Sequence, residues 1–101
     1  MYKLRYLPLA QKDLRDITKY IAETLKSPVA AMKLVDTLDS SISLLEQFPY
    51  SCKVYQPVEL LETEYRILPV KKYMVFYAVK ENEIEIHRIV YARMNFENII
   101  K

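Results

Sequence analysis

The spacing of apolar residues along this chain predicts one strand, then two helices, then three more strands. Residues 2–6 alternate between apolar and basic side chains, which is the period of a strand. An apolar stripe at spacings of three and four extends from Ala10 to Leu25, and a second extends from Ala31 to Phe48. Such stripes are typical of amphipathic helices, so we expect both to face a core.

Prolines mark where these helices begin and end. Pro8 suits the first turn of the first helix, which we place at residues 9–25. Ser27 and Pro28 form a start signal, because serine can cap a helix and proline fits its first position. Pro49 helps to stop the second helix. Since only a few residues join the two helices, we expect an antiparallel helical hairpin.

The rest of the chain reads as a loop followed by three strands. Residues 50–63 show no clean period and predict a surface loop, whereas residues 64–70, 73–80 and 84–91 predict strands. Short turns at Lys71-Lys72 and at residues 81–83 predict antiparallel pairing. Residues 95–101 predict a short tail with one helical turn.

These elements together predict the fold. We expect an α+β fold in the order β-α-α-β-β-β, with a small antiparallel sheet packed by the α-helical hairpin. The whole chain, residues 1–101, is expected to form a single domain. Strict alternation in the last strand assigns its residues to two faces, one with Ile84, Ile86, Arg88 and Val90, the other with Glu85, His87, Ile89 and Tyr91.

Composition excludes several classes of function. The chain has no glycine, and both the P-loop and the dinucleotide fingerprint require glycines near phosphate, so we expect no nucleotide cofactor. Cys52 and His87 are the only residues of their kinds, which argues against an internal disulfide and a zinc site. We expect no cofactor and no metal. No signal peptide or membrane-spanning run is evident, so we expect a cytoplasmic protein without membrane association.

Basic and aromatic residues are concentrated in the last third of the chain. The net charge is only +2, so any basic patch must come from clustering. We expect a surface for a polyanion or an acidic partner, made by these candidate target-binding residues: Arg66, Lys71, Lys72, Tyr73, Arg88, Tyr91 and Arg93. Structural alternatives stay open: Arg66 could pair with Glu85 across strands, and the two lysines could simply be a solvated turn.

Short segments spread over nearly the whole chain resemble one known family. In order, they are Asp13-Leu14-Arg15-Asp16-Ile17, Tyr20-Ile21-Ala22-Glu23, Ser27-Pro28, Ala30-Ala31, Ile42, Leu44-Leu45, Phe48-Pro49, Arg66-Ile67-Leu68-Pro69-Val70, Tyr73-Met74-Val75-Phe76-Tyr77 and Arg88-Ile89-Val90-Tyr91-Ala92-Arg93. Their order and spacing resemble the RelE/ParE superfamily of bacterial toxins from type II toxin–antitoxin systems.

The resemblance implies a plasmid-stabilisation (addiction) toxin that inhibits growth and is neutralised by a cognate antitoxin, in a possible hetero-oligomer. ParE-like members inhibit DNA gyrase, whereas RelE-like members cut mRNA on the ribosome. A ribonuclease of this kind needs an acid, a base and cations around one phosphate. If this chain were one, its candidate catalytic residues would be Arg66, His87 and Arg93.

Two departures from the RelE-like pattern favour the ParE-like branch. Met74 stands where RelE-like ribonucleases typically have an arginine, and methionine cannot stabilise an oxyanion. The basic cluster after the last strand is thinned to Arg93-Met94-Asn95. We therefore expect a gyrase inhibitor without chemistry of its own. The alternatives are a ribosome-dependent mRNA endoribonuclease and a non-toxic antitoxin-binding module.

Overall fold

The computed structural model describes residues 2–56 and 63–93. Its strands are β1 (Lys3–Tyr6), β2 (Arg66–Val70), β3 (Tyr73–Val79) and β4 (Glu83–Tyr91). Its helices are α1 (Pro8–Lys19) and α2 (Pro28–Ser43), each extended by a short turn of different pitch, Tyr20–Thr24 and Leu44–Glu46. The predicted order β-α-α-β-β-β is confirmed. The predicted tail at residues 95–101 lies outside the described residues.

The four strands form one sheet in the order β1-β4-β3-β2. The predicted antiparallel pairing of β2 with β3 and of β3 with β4 is confirmed. In addition, β1 pairs in parallel with β4, with Leu4 beside Ile84 and Tyr6 beside Ile86. The sheet is therefore mixed. A parallel pair has no turn between its strands, so no local sequence signal indicates it.

The helical hairpin supplies one side of the core. Buried residues of the two layers form one cluster, with Ala10, Leu38, Ile42 and Leu45 from the helical part and Val70, Val75, Tyr77, Ile84, Ile86 and Ile89 from the strands. The apolar stripes therefore face the core, as predicted, except at their ends. Leu25 and Phe48 are exposed. Each follows the short turn that ends its helix, and because that turn has a different pitch, these residues no longer share the core-facing side of the helix.

The two helices are joined without glycine. After α1 the helix widens into a π-helical turn, in which the Leu25 amide donates to the Tyr20 carbonyl at 3.1 Å. Lys26 then adopts φ 53°, a left-handed conformation that glycine usually takes. Ser27 stands at the start of α2 and accepts the Ala31 amide at 3.1 Å through its carbonyl, while Pro28 takes the first helical position.

The strict alternation predicted for β4 is wrong beyond Ile86. Phe76 pairs with Arg88 but Tyr77 pairs with Ile86, so the register passes over His87. A bulge of this kind adds one residue to a strand and shifts its later side chains to the other face. Ile89 therefore joins Ile84 and Ile86 in the core cluster. Strict alternation had placed Arg88, not Ile89, on that face.

Part of the predicted loop lies beside the edge of β2. The Ile67 amide donates to the Lys53 carbonyl at 3.0 Å, and the Tyr55 amide donates to the Tyr65 carbonyl at 2.7 Å. Residues 53–55 therefore cover the start of an edge strand whose backbone would otherwise be unpaired. Within residues 2–56 and 63–93, no helix is long and apolar enough to cross a membrane.

Candidate functional site

A cleft of about 730 Å³ opens between the turn of the helical hairpin on one side and the start of β3 and the end of β4 on the other. Its sheet side is lined by Lys71, Lys72, Tyr73, Arg88, Ile89, Val90 and Tyr91. Its helix side is lined by Asp13, Asp16, Ile17, Tyr20, Ile21, Leu25 and Leu34. The cleft thus brings together most of the residues that the sequence suggested for target binding.

Tyrosines form part of the cleft lining. The rings of Tyr73 and Tyr91 meet edge to face, with centroids 5.7 Å apart. Burial raises the pKa of Tyr73 above its ordinary value, and the neighbouring Tyr91 and Tyr20 raise it further. The Tyr73 hydroxyl therefore stays protonated at neutral pH. The rings of Tyr73, Tyr91 and Tyr20 offer apolar surface with a polar tip.

Asp13 and Arg88 join α1 to β4 on the floor of the cleft. The guanidinium of Arg88 donates through Nε and Nη2 to the two carboxylate oxygens of Asp13, at 2.7 and 2.9 Å. The same carboxylate accepts the Ile89 amide at 2.9 Å. Asp13 raises the pKa of Arg88 through this hydrogen bonding. Such a two-pronged pair is strong and directional, so it holds Arg88 within the protein rather than offering it to a partner.

The exposed positive charge of the cleft comes from the two-residue turn between β2 and β3. Lys71 and Lys72 are both exposed. Lys71 adopts φ 56° in this two-residue turn, and the Lys72 carbonyl accepts the Ala92 amide at 2.9 Å. This hydrogen bond fixes the backbone of the turn, from which the two lysine side chains extend into solvent.

The remaining carboxylate of the cleft is neutralised by a lysine of its own helix. Lys12 Nζ lies 2.6 Å from Asp16 Oδ2, and this hydrogen bond lowers the pKa of Asp16. With Asp13 held by Arg88, both acidic groups of the cleft have cationic partners. The two lysines of the turn therefore set the sign of its rim.

Arg66 lies elsewhere and supports the loop. Its Nη1 donates to the Cys52 carbonyl at 2.7 Å, its guanidinium lies over the Tyr50 ring at 4.9 Å, and Nη2 is 3.6 Å from Glu64. The suggested pair with Glu85 is wrong, because Arg66 is paired with Tyr77 in the sheet and shares the helix-covered face. Its side chain is only 17 % exposed.

His87 lies on the opposite face from Arg66. Its Nδ1 is 3.4 Å from the Tyr65 hydroxyl, and its Nε2 is 3.1 Å from Glu85 Oε1. Glu85 in turn lies 3.7 Å from Arg5. Arg66 pairs with Tyr77, and Glu85, which contacts His87, pairs with Ala78. Tyr77 and Ala78 are successive residues of β3, so the two pairs point to opposite faces of the sheet. Arg66 and His87 therefore do not converge on one phosphate position. Arg93 is exposed beyond the end of β4.

Asp13 and Tyr20 are among the contributors to the cleft that were not proposed from the sequence. Asp13 reads only as a polar residue off the apolar stripe, and its bond to the Ile89 amide depends on a contact between residues far apart in the chain. Tyr20 stands out only once the π-helical turn points it into the cleft. Within the described ranges there is no group of three or more histidine, cysteine, aspartate or glutamate residues that could hold a metal ion.

Comparison with known proteins agrees with this architecture. A family model described as the ParE toxin of the type II toxin–antitoxin system, parDE, matches residues 4–96. A search of curated protein sequences finds no match.

Solved structures that share the fold include the following two. One is described as a chromosomal ParDE TA system from P. aeruginosa. It has a TM-score of 0.75 and 25 % identity, and the match covers 92 % of this chain and 98 % of that one. The other, the E. coli DinJ-YafQ complex, has a TM-score of 0.61 and 12 % identity, and the match covers 90 % and 93 % of the two chains. At that identity the second likeness concerns the fold alone.

Proposed function

The chain belongs to the ParE toxin family of type II toxin–antitoxin systems, and we propose that this toxin inhibits growth by binding DNA gyrase in the cytoplasm. Its partner in the bacterial cell is an antitoxin that neutralises it. In the proposed mechanism the toxin binds gyrase and blocks replication without performing chemistry of its own. The proposed binding surface is the cleft that lies between the turn of the helical hairpin on one side and the start of β3 and the end of β4 on the other. Arg93, beyond the end of β4, extends this surface.

The main support is where the candidate residues lie. Lys71, Lys72, Tyr73 and Tyr91 line one cleft with Arg88, next to apolar residues of both layers. By contrast, Arg66 is engaged by the loop and lies on the other face from His87. Side chains that are to bind a macromolecule need only share a surface, whereas an acid, a base and a cation must reach one phosphate.

The kind of target surface follows from charge and shape. Exposed lysines beside tyrosine rings suit an acidic surface or the phosphates of DNA held by gyrase. A partly apolar cleft adds affinity by burying an apolar side chain of the partner. Both features favour a binding function for this surface.

One observation supports the ribonuclease alternative. His87, Glu85, Tyr65 and Arg5 form a connected polar group on the open face of the sheet, with His87 between Glu85 and Tyr65. Such a group could move a proton. If this alternative held, His87→Ala would abolish toxicity, and a change of Lys71 and Lys72 to glutamate would leave cleavage of mRNA in place.

The test is pulse-labelling of DNA and protein synthesis in bacteria just after the toxin is induced alone. We expect DNA synthesis to stop first while translation continues. A toxin carrying both Lys71→Glu and Lys72→Glu should lose this effect, because two attractive charges become repulsive at the proposed surface. Lys53→Glu with Lys80→Glu is the matched control, since it makes the same charge change at exposed lysines outside the cleft.

Purified gyrase identifies the target directly. We expect the wild-type toxin to inhibit DNA supercoiling by gyrase, and the control pair to inhibit it equally. Collapse of translation before DNA synthesis, or unimpaired gyrase at saturating toxin, would contradict the proposal. We avoid Arg88→Ala as a probe, because it leaves the Asp13 carboxylate without its guanidinium partner and so perturbs the fold.

A further inference from the structure

The cleft exposes large apolar side chains at its mouth. Tyr20, Leu25 and Tyr91, which all line it, are 54, 56 and 37 % exposed. Behind them, Ile17, Ile89 and Val90 continue the apolar lining into the protein. A grouped apolar surface of this kind marks a site for a partner rather than for solvent.

The charges around the cleft select the sign of that partner. Arg88 neutralises Asp13 through two hydrogen bonds, and Lys12 neutralises Asp16 at 2.6 Å. Lys71 and Lys72 remain exposed on the rim. Because the acidic groups of the lining are already paired, the field at the mouth is positive and attracts carboxylates.

A rival apolar groove between α1 and α2 lacks this preference. It measures about 550 Å³ and includes Leu14, Ala22 and Val35. Its charged residues are Arg15, Lys19 and Glu23, and among the described residues the Glu23 carboxylate has no ion-pair partner, unlike the two aspartates of the cleft. Such a mixed rim does not distinguish an acidic partner from a basic one. Charge complementarity thus assigns an acidic partner to the cleft and gives no assignment for the groove.

We infer that the antitoxin inserts an acidic segment into the cleft, with one large apolar side chain against Tyr20 and Tyr91 and carboxylates beside Lys71 and Lys72. The antitoxin is the occupant that fits best, because a partner that holds the toxin inactive must cover its apolar surface in a lasting complex. One consequence rests on the proposed function. If gyrase binds the same cleft, then the antitoxin neutralises the toxin by occupying it.

Photo-crosslinking within the toxin–antitoxin complex tests the location. The photoreactive residue p-benzoylphenylalanine would replace Tyr20 in the cleft, Ala22 in the helical groove or Tyr50 on a surface outside both. Each variant would be co-expressed with the cognate antitoxin. We expect the Tyr20 probe to crosslink to an antitoxin segment that contains aspartate or glutamate beside a large apolar residue. A complex that forms but gives no crosslink from Tyr20, or one to a basic segment, would overturn the inference.

Charge reversal tests the chemistry. Lys71→Glu with Lys72→Glu should weaken antitoxin binding about 100-fold in isothermal titration, because each reversal of a charge facing a carboxylate costs about tenfold. The loss should shrink at high salt, where charges are screened. The control pair Lys53→Glu with Lys80→Glu should bind almost as tightly as the wild type. An equal loss in both folded pairs, or no loss in either, would overturn the inference.

These measurements contain no gyrase, so their failure leaves the proposed target standing. The converse is also separable. Supercoiling assays with a saturating amount of antitoxin should show gyrase restored. If the Tyr20 crosslink forms and gyrase is still inhibited by the complex, the docking site holds and the shared use of the cleft is refuted.

Discussion

At the scale of the residue, Tyr77 shows how one hydroxyl ties the loop to the core. Its ring is fully buried in the middle of β3, and its hydroxyl donates to the Pro49 carbonyl at 2.8 Å. Pro49 follows the end of the α2 region, so this bond connects the helical hairpin to the sheet. A buried hydroxyl without a hydrogen-bond partner is costly, so burial of Tyr77 requires that Pro49 stays in place to accept its hydrogen bond.

Replacing Tyr77 by phenylalanine should lower the free energy of unfolding by about 1–3 kcal/mol, since it leaves the Pro49 carbonyl without its donor. Urea denaturation checks this. Tyr91→Phe is the control, because Tyr91 is an exposed residue, and it should change stability by less than about 0.5 kcal/mol. Equal losses in the two variants would contradict the role assigned to the Tyr77 bond.

The same hydroxyl makes stability depend on alkaline pH. Burial, with a smaller contribution from Cys52, raises the pKa of Tyr77 well above its ordinary value of 10.0. A raised folded pKa means that the stabilisation is fully present below pH 10.0 and is lost as the pH rises towards the folded pKa. Unfolding curves of the wild type should therefore weaken above about pH 10, and Tyr77→Phe should weaken less. A parallel decline in both would show that other groups carry the effect.

At the scale of the element, the absence of glycine leaves its mark on the turns. Lys26 and Lys71 occupy left-handed conformations, with φ 53° and 56°. A side chain with a β-carbon costs about 1–2 kcal/mol there, and glycine avoids that cost at some expense in backbone entropy. The π-helical turn, the bulge at His87 and these turns are all places where the chain departs from its regular period.

Lys71→Gly should raise the free energy of unfolding by about 0.5 kcal/mol, because relief of the left-handed strain exceeds the entropy cost of glycine. Lys72→Gly, next to it in the same turn and with the same loss of charge, should lower stability by about 0.5–1 kcal/mol, since the φ of Lys72 is not positive. Thermal and urea unfolding of the two variants decide the matter. Two changes of the same sign would refute the backbone explanation.

At the scale of the whole molecule, β4 is the centre of the structure. It is the longest strand, it lies between β1 and β3, and α1 is attached to it through Asp13. Along Ile84 to Ile86 it is paired on both sides. By contrast, β2 stands at the edge of the sheet, where residues 53–55 lie beside its start.

Hydrogen exchange should reflect this arrangement. Amides of residues 84–86 should exchange at least about tenfold more slowly than those of residues 66–68 and 70, because the former open only when the sheet itself opens. Exchange monitored by mass spectrometry provides the comparison, with residues 73–79 of β3 as an internal reference for a strand paired on both sides. Slower exchange in β2 than in β4 would contradict the sheet order as the source of stability.

How much of this could be predicted depends on how local each signal is. Pro8, Pro28 and the apolar stripes are local, and they predicted both helices and their hairpin. Lys71-Lys72 predicted a turn for the same reason. Asp13, however, accepts the Ile89 amide, and this contact joins distant parts of the chain. The bulge at His87 moves the later side chains of β4 to the other face of the sheet, and no local sequence pattern indicates it.

The sequence by itself determined the element order, the antiparallel pairing of the last three strands and the family resemblance, because periodicity, turn residues and motif order are properties of neighbouring residues. Only the tertiary structure decided that β1 joins β4 in parallel, that Arg66 and His87 lie on opposite faces, and that Tyr20 and Asp13 complete the cleft with Lys71, Lys72 and Tyr91. The physical reason is the same in each case: these contacts join residues far apart in the chain, and packing of the helices on the sheet selects them.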